Sequence, residues 1–111
     1  MEAKPREILI YCTANGKEPL FEFMGELQDD KGKAAILVRL NRLESGNFGD
    51  SEPVGEGLIE LRIHHGPGYR VYVGEDGNTL VVVLCAGRKN TQSKDIKSAK
   101  RYWKDYRENK P

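Results

Sequence analysis

The run Leu80 to Ala86, L-V-V-V-L-C-A, is the longest unbroken apolar stretch in the chain. It is far too short to cross a bilayer, which takes about 20 residues. Its valines favour the extended backbone, and it lacks the polar alternation of a strand that is wet on one side. It therefore reads as a central strand covered on both faces. In a chain of 111 residues, one such strand implies one sheet and one modest core around it, not two. The flanking residues supply its neighbours. Asp76-Gly77 is a strong hairpin signal just before the run. Tyr69 to Val73 alternates, with Tyr69, Val71 and Val73 opposite Arg70 and Tyr72. Gly66-Pro67-Gly68 makes a tight connection back to Leu58–Ile63. There Ile59, Leu61 and Ile63 share one face and Glu60 and Arg62 the other.

The N-terminal half reads differently. Glu7 to Thr13 is apolar and rich in β-formers, so it is a first strand, closed by the turn residues Ala14-Asn15-Gly16. Pro19 suits the first turn of a helix, and Leu20, Phe23, Met24 and Leu27 then recur at helical spacing. Asp29 and Asp30 suit the start of a second helix with the stripe Ile36, Leu37, Leu40, Leu43, and Gly46 is its stop. Residues 45–57 read as a loop crossing the molecule. Thr91 or Ser93 can cap a last helix with Ile96, Ala99, Trp103 and Tyr106 on its apolar side. The expected fold is α+β, one domain over residues 1–111 in the order β-α-α-β-β-β-α. Its sheet is mostly antiparallel, with the N-terminal helix hairpin packed on one face.

Composition narrows the function. Hydrophobic residues at 38% and charged residues at 32% suit a globular protein outside the membrane. Met1 to Arg6 carries no apolar leader, so the expected compartment is the cytoplasm. Cys12 and Cys85 lie in apolar runs and read as small buried hydrophobes. No C-x-x-C occurs and the two histidines are adjacent, so no metal site is expected, and no cofactor motif is present. The net charge of +1 conceals an asymmetry: residues 1–87 carry nine Lys/Arg against fourteen Asp/Glu, a balance of −5, while residues 88–111 carry nine against three, a balance of +6. A basic tail on an acidic body points to an anionic partner for that end.

The chemistry-bearing residues are cations. Strand parity puts Arg62 and Arg70 on one sheet face, and Arg88 and Lys89 follow the central strand directly. Together they make an anion site of the kind that grips phosphate oxygens. Two arginines on one face repel, so carboxylates such as Glu60 or Glu56 are expected beside them. The plain alternative is that Arg62 pairs with one of these and is structural. His64-His65 is the acid/base candidate by type, set against a reading as exposed turn residues. Tyr72 could stack on a base, as in readers of single-stranded RNA, whereas Tyr69 shares parity with the core.

Several fragments resemble one family: Arg39-Leu40-Asn41-Arg42-Leu43, Gly46-Asn47-Phe48-Gly49-Asp50, Pro53-Val54-Gly55-Glu56-Gly57, Glu60-Leu61-Arg62-Ile63, Gly66-Pro67-Gly68-Tyr69-Arg70-Val71-Tyr72, and Gly87-x-Lys89-x-Thr91-Gln92-x-Lys94-Asp95-Ile96-x-x-Ala99. In this order they are similar to the addiction-module killer branch of the RelE/HigB toxins. The resemblance implies a compact RNase-like α+β fold and cleavage of mRNA in the ribosomal A site. It also implies a cognate antitoxin, often of helix-turn-helix type. It assigns the scissile phosphate to Arg70 and a supporting role to Lys89, and it brings Arg62 loosely into the catalytic set. The RNA-contacting set is then Arg88, Tyr72, Gln92, Lys94 and Lys97. The chain departs from the family in three places. Ala86-Gly87-Arg88-Lys89 has a basic residue where relatives have an acidic one. Met24 stands where a tryptophan is usual. The C-terminal Tyr or His-Tyr of some relatives has no counterpart, Asp95 or Ile96 lying in that region. The expected activity is a ribosome-dependent mRNA endonuclease. The rival reading is a ParE-like toxin that binds DNA gyrase without cutting RNA, and a third is a toxin-like module with a degraded site.

Overall fold

A computed structural model describes residues 4–110; Met1 to Ala3, at the start of the segment read as leaderless, and Pro111 lie outside it. The elements are β1 (Glu7–Ile10), α1 (Pro19–Glu26), α2 (Asp30–Glu44), β2 (Ser51–Gly55), β3 (Leu58–Ile63), β4 (Tyr69–Asp76), β5 (Leu80–Arg88) and α3 (Gln92–Asn109), with a 3₁₀ turn at Lys89–Thr91. The sheet order is β1-β5-β4-β3-β2. β1 runs parallel to β5 and every other pair is antiparallel. The class is α+β, as expected, but the order is β-α-α-β-β-β-β-α. The additional strand, β2, lies inside the segment read as loop. It is an edge strand paired with β3, and edge strands tolerate the proline and acidic residues that hide its pattern. Its turn into β3 needs three left-handed residues, supplied by Gly55, Glu56 and Gly57.

β4 is the middle strand and β5 an interior one between it and β1, and the sheet splits the core in two, where one core was expected. On one face α1 and α2 bury Leu20, Met24, Ile36 and Leu43 against Leu61, Tyr69, Val71 and Val83. On the other face α3 buries Ala99 and Trp103 against Tyr11, Tyr72, Val82, Leu84 and Cys85. A bulge opposite Tyr72-Val73 lets Leu84 and Cys85 both serve that second layer. Gly74 is fixed by the same packing: a Cβ there would sit 2.7 Å from the Trp103 ring. The signals around α2 work as read, whereas Thr91 at the start of α3 makes no capping bond and donates to Asp95 instead. Asp29 caps α2 by accepting from the Gly32 N–H at 2.9 Å, and Gly46 leaves α2 at φ +85°.

Three residues differ from expectation: Leu37, Arg39 and Cys12. Leu37 is half exposed, while Arg39 takes the inward place between Ile36 and Leu43. Its guanidinium donates to the carbonyls of Phe48 (2.7 Å), Asp50 (2.9 Å) and Arg62, bolting α2 to β3 and to the loop before β2. Gly49, at φ +62°, lies flat against that guanidinium. The G-N-F-G-D motif is therefore the socket for Arg39. Cys12 is exposed beyond the end of β1, because that strand stops at Ile10, whereas Cys85 is buried as expected. Among the described residues no helix is long and apolar enough to cross a membrane.

Candidate anion site on the α3 face of the sheet

Arg62 on β3 pairs across the ladder with Arg70 on β4, and Arg70 with Gly87 on β5. One step along, Glu60, Tyr72 and Cys85 form a second row on the same face. The start of α3 closes over both rows. Glu60 is fully buried and sits at the centre. It accepts from Gln92 Nε2 at 2.8 Å, from the Tyr72 hydroxyl at 3.0 Å and from Arg62 Nε at 3.1 Å. Burial alone would raise its pKa. The bonds from Gln92, Arg62 and Tyr72, with the charge of Arg70, outweigh burial and hold the carboxyl below the usual glutamate range. The same carboxylate, with burial, pushes the Tyr72 hydroxyl far above its ordinary value.

The two arginines are not equivalent. Arg62 is one-third exposed and bridges Glu60 and Glu52, so its charge is met twice over. The carboxylate beside it on the edge strand is Glu52 and not the expected Glu56. Arg70 is 9% exposed. Its nearest carboxylate oxygen is Glu60 Oε1 at 3.9 Å from one terminal nitrogen, beyond hydrogen-bond reach. Its Nε is buried with no hydrogen-bond partner among the described residues. Arg70 is thus a sheltered guanidinium with an unspent Nε donor, an arrangement that suits forked contact with two oxygens of an anion such as a phosphate.

Gly87 completes the site by having no side chain. A Cβ there would overlap the Asp95 carboxylate, which also accepts from Thr91 Oγ1. Around the rim, Lys89 is exposed, and its backbone N–H donates to the Gly68 carbonyl at 2.9 Å, tying the Gly-Pro-Gly turn to the start of α3. Residues 89–94 line an open pocket of about 420 Å³. Lys94 stands on its lip and Lys97 one turn further along α3, both exposed. Gln92 faces inward to Glu60.

Two sequence assignments are corrected here. Tyr72 is fully buried under α3, with its hydroxyl spent on Glu60, so no base can stack on it. Arg88 pairs with Tyr69, which puts it on the opposite sheet face, where its guanidinium lies 5.5 Å from the centre of the Phe23 ring. β5 runs on through Arg88, so the pleat that points Gly87 toward α3 points Arg88 toward α1. The histidines are turn residues: His64 is mostly exposed and pairs with Asp50, and His65 approaches Asp29 at 3.5 Å. Among the described residues no cluster of His, Cys, Asp and Glu could hold a metal. Sequence reasoning did not foresee Asp95 against Gly87, or Gln92 as a bond to Glu60. Gly87 was a signal, since a glycine ending a valine-rich strand marks a close approach.

Residues 22–104, which include all of this site, match the family described as phage derived protein Gp49-like. An uncharacterized protein of Haemophilus influenzae is 49% identical over 78 residues, spanning 70% of this chain and 79% of that one. The chain belongs to the phage-derived Gp49-like family, a toxin-like family of addiction modules.

Proposed function

We propose that this protein is the toxin of a type II toxin–antitoxin pair, a RelE/HigB-like endonuclease that cuts mRNA on the ribosome in the cytoplasm. The observation that carries this reading is Arg70: a buried guanidinium whose Nε has no hydrogen-bond partner among the described residues, paired with Gly87 two residues before the pocket at Lys89–Lys94. In the reaction, a ribose 2′-hydroxyl gives up its proton to solvent and attacks the adjacent phosphorus, the 5′-oxygen of the next nucleotide leaves and takes up a proton, and a cyclic phosphate remains. Charge builds on the non-bridging oxygens, and Arg70 is placed to take it up; preorganised donors of this kind are worth about 10²–10³ in rate each. Lys89, on the rim, would neutralise the leaving oxygen. Arg62 contributes field, since its donors are engaged by Glu52 and Glu60. Glu60 is ionised but saturated and fully buried, so it positions the arginines and does not take the substrate proton. Asp95, the other carboxylate at this site, accepts from Thr91, so in-line placement of the 2′-hydroxyl by the ribosome would supply much of the rate; orientation can be worth about 7–11 kcal/mol. The cognate antitoxin would cover the cationic face with acidic groups.

Induced expression of wild type and Arg70→Ala tests the reading. Wild type should arrest growth and leave cut messages, and Arg70→Ala should do neither while remaining folded. Accumulation of gyrase–DNA adducts with intact messages would favour the ParE-like reading instead.

A further inference from the structure

The outer face of α3 carries a charge pattern that begins at the site and runs beyond it. Lys94, Lys97, Arg101 and Lys104 are all exposed. At the helical turn of about 100° per residue they fall within an arc of about 80°, opposite the buried Ala99 and Trp103. At the helical rise they make a straight row about 15 Å long. Among the described residues none of the four forms an ion pair. The helix has acids that could have met them, but two are turned inward: Asp95 accepts from Thr91 and Asp105 accepts from the Tyr11 hydroxyl at 2.6 Å. Glu108 lies beyond the end of the row.

This arrangement costs helix stability. Like charges three and four positions apart repel, and Lys94 stands in the first turn, where the helix dipole disfavours a cation. The row is also continuous with the site, because Lys94 forms the lip of the pocket at residues 89–94.

We propose that this row is a docking rail for the phosphate backbone of double-helical RNA, separate from the cutting site and leading into it. A rigid row of cations complements a fixed row of phosphates, which a duplex presents and a flexible strand does not; duplex RNA is held mainly through phosphates, 2′-hydroxyls and shape. The choice of RNA rests on the reading of the adjacent site as an RNA-cutting one. The rail extends the contacts beyond Lys94 and Lys97 to Arg101 and Lys104.

The test is fluorescence anisotropy of the full chain with an RNA duplex of about 16 base pairs, titrated across salt, with a single strand of the same length and poly-glutamate as further probes. Two variants are compared with wild type: Lys97→Gln/Arg101→Gln/Lys104→Gln, and Lys31→Gln, which removes an exposed cation from α2 on the opposite side of the sheet. The triple variant should bind the duplex at least about tenfold more weakly at low salt, and its log K against log salt slope should shrink by about 3. Lys31→Gln should keep the wild-type slope. Circular dichroism checks that the triple variant folds, and the single variants Arg101→Gln and Lys104→Gln should each remove about one unit of slope. An unchanged slope in the triple variant would overturn the rail. So would a loss confined to the single strand, or a loss confined to poly-glutamate, which would make the row an antitoxin surface. If the rail result holds but wild type cuts no message, the docking surface stands and the endonuclease reading falls.

Discussion

Glu60 and Arg70 face each other across adjacent strands at 3.9 Å, close enough for attraction and too far for a hydrogen bond. The carboxylate is saturated by Gln92, Tyr72 and Arg62, so the guanidinium is left with charge compensation but an unspent Nε donor. Removing the carboxylate should therefore leave a buried, uncompensated cation. Glu60→Ala is expected to cost about 3 kcal/mol of folding stability, as breaking a buried pair does. Urea unfolding measures it; a loss under about 1 kcal/mol would mean that the network is peripheral.

Gly87 is expected to tolerate no side chain while Asp95 is present. Gly87→Ala should cost about 1–3 kcal/mol through overpacking at the start of α3. In an Asp95→Ala background the cost should drop, giving a coupling of about 1 kcal/mol in a double-mutant cycle. Strict additivity would show that the close approach does not set the identity of residue 87.

Arg39 satisfies three backbone carbonyls from two segments. Arg39→Met keeps the apolar stem and removes the donors, and orphaned buried acceptors cost about 1–3 kcal/mol each. A total loss of about 3 kcal/mol is expected, with faster hydrogen exchange at the Arg62 amide, whose bond to the Asp50 carbonyl lies beside the bolt. Arg39→Lys should recover little, since an ammonium cannot reach three divergent carbonyls. Wild-type exchange at Arg62 in Arg39→Met would contradict this role.

The sheet was readable in the sequence because its strands announce themselves by alternation, by the Asp76-Gly77 turn and by the unbroken run in β5. β2 was not, because an edge strand is held by one partner and carries Pro53 and Glu52 without penalty. Parity correctly put Arg62, Arg70 and Tyr72 on one face. It could not say that the start of α3 closes over that face and buries both Tyr72 and Arg70, since coverage is a tertiary property. Arg88 was misplaced because the apolar run ends at Ala86, whereas the strand continues through Gly87, whose missing side chain admits Asp95, to Arg88. Arg39 was visible in principle as a cation at an inward helical position between Ile36 and Leu43.

Stability should be flat at neutral pH and fall in acid. Hydrogen bonds from Tyr69 and Gly32 hold Asp29 below the ordinary aspartate range, and bonds from Tyr106 and Lys110 do the same for Asp76. At Glu60 the bonds from Gln92, Arg62 and Tyr72 overcome the opposing effect of burial. Depressed carboxyl groups bind fewer protons folded than unfolded. Their contribution is complete above the unfolded values and is lost as pH falls through the folded ones. Unfolding midpoints from pH 7 downward should hold until the ordinary carboxylate range and then decline. A decline that begins well above that range would contradict this assignment.

The central claim is that Arg70 holds the scissile phosphate and that the ribosome supplies the placement which this site lacks. Single-turnover cleavage of one message, free and in a programmed 70S complex, tests both parts with wild type and Arg70→Ala. Wild type should cut the ribosome-bound message efficiently and the free one poorly, and Arg70→Ala should lose about 10²–10³ in rate on the ribosome. Equal wild-type rates on free and bound message, or a wild-type rate from Arg70→Ala, would contradict the account.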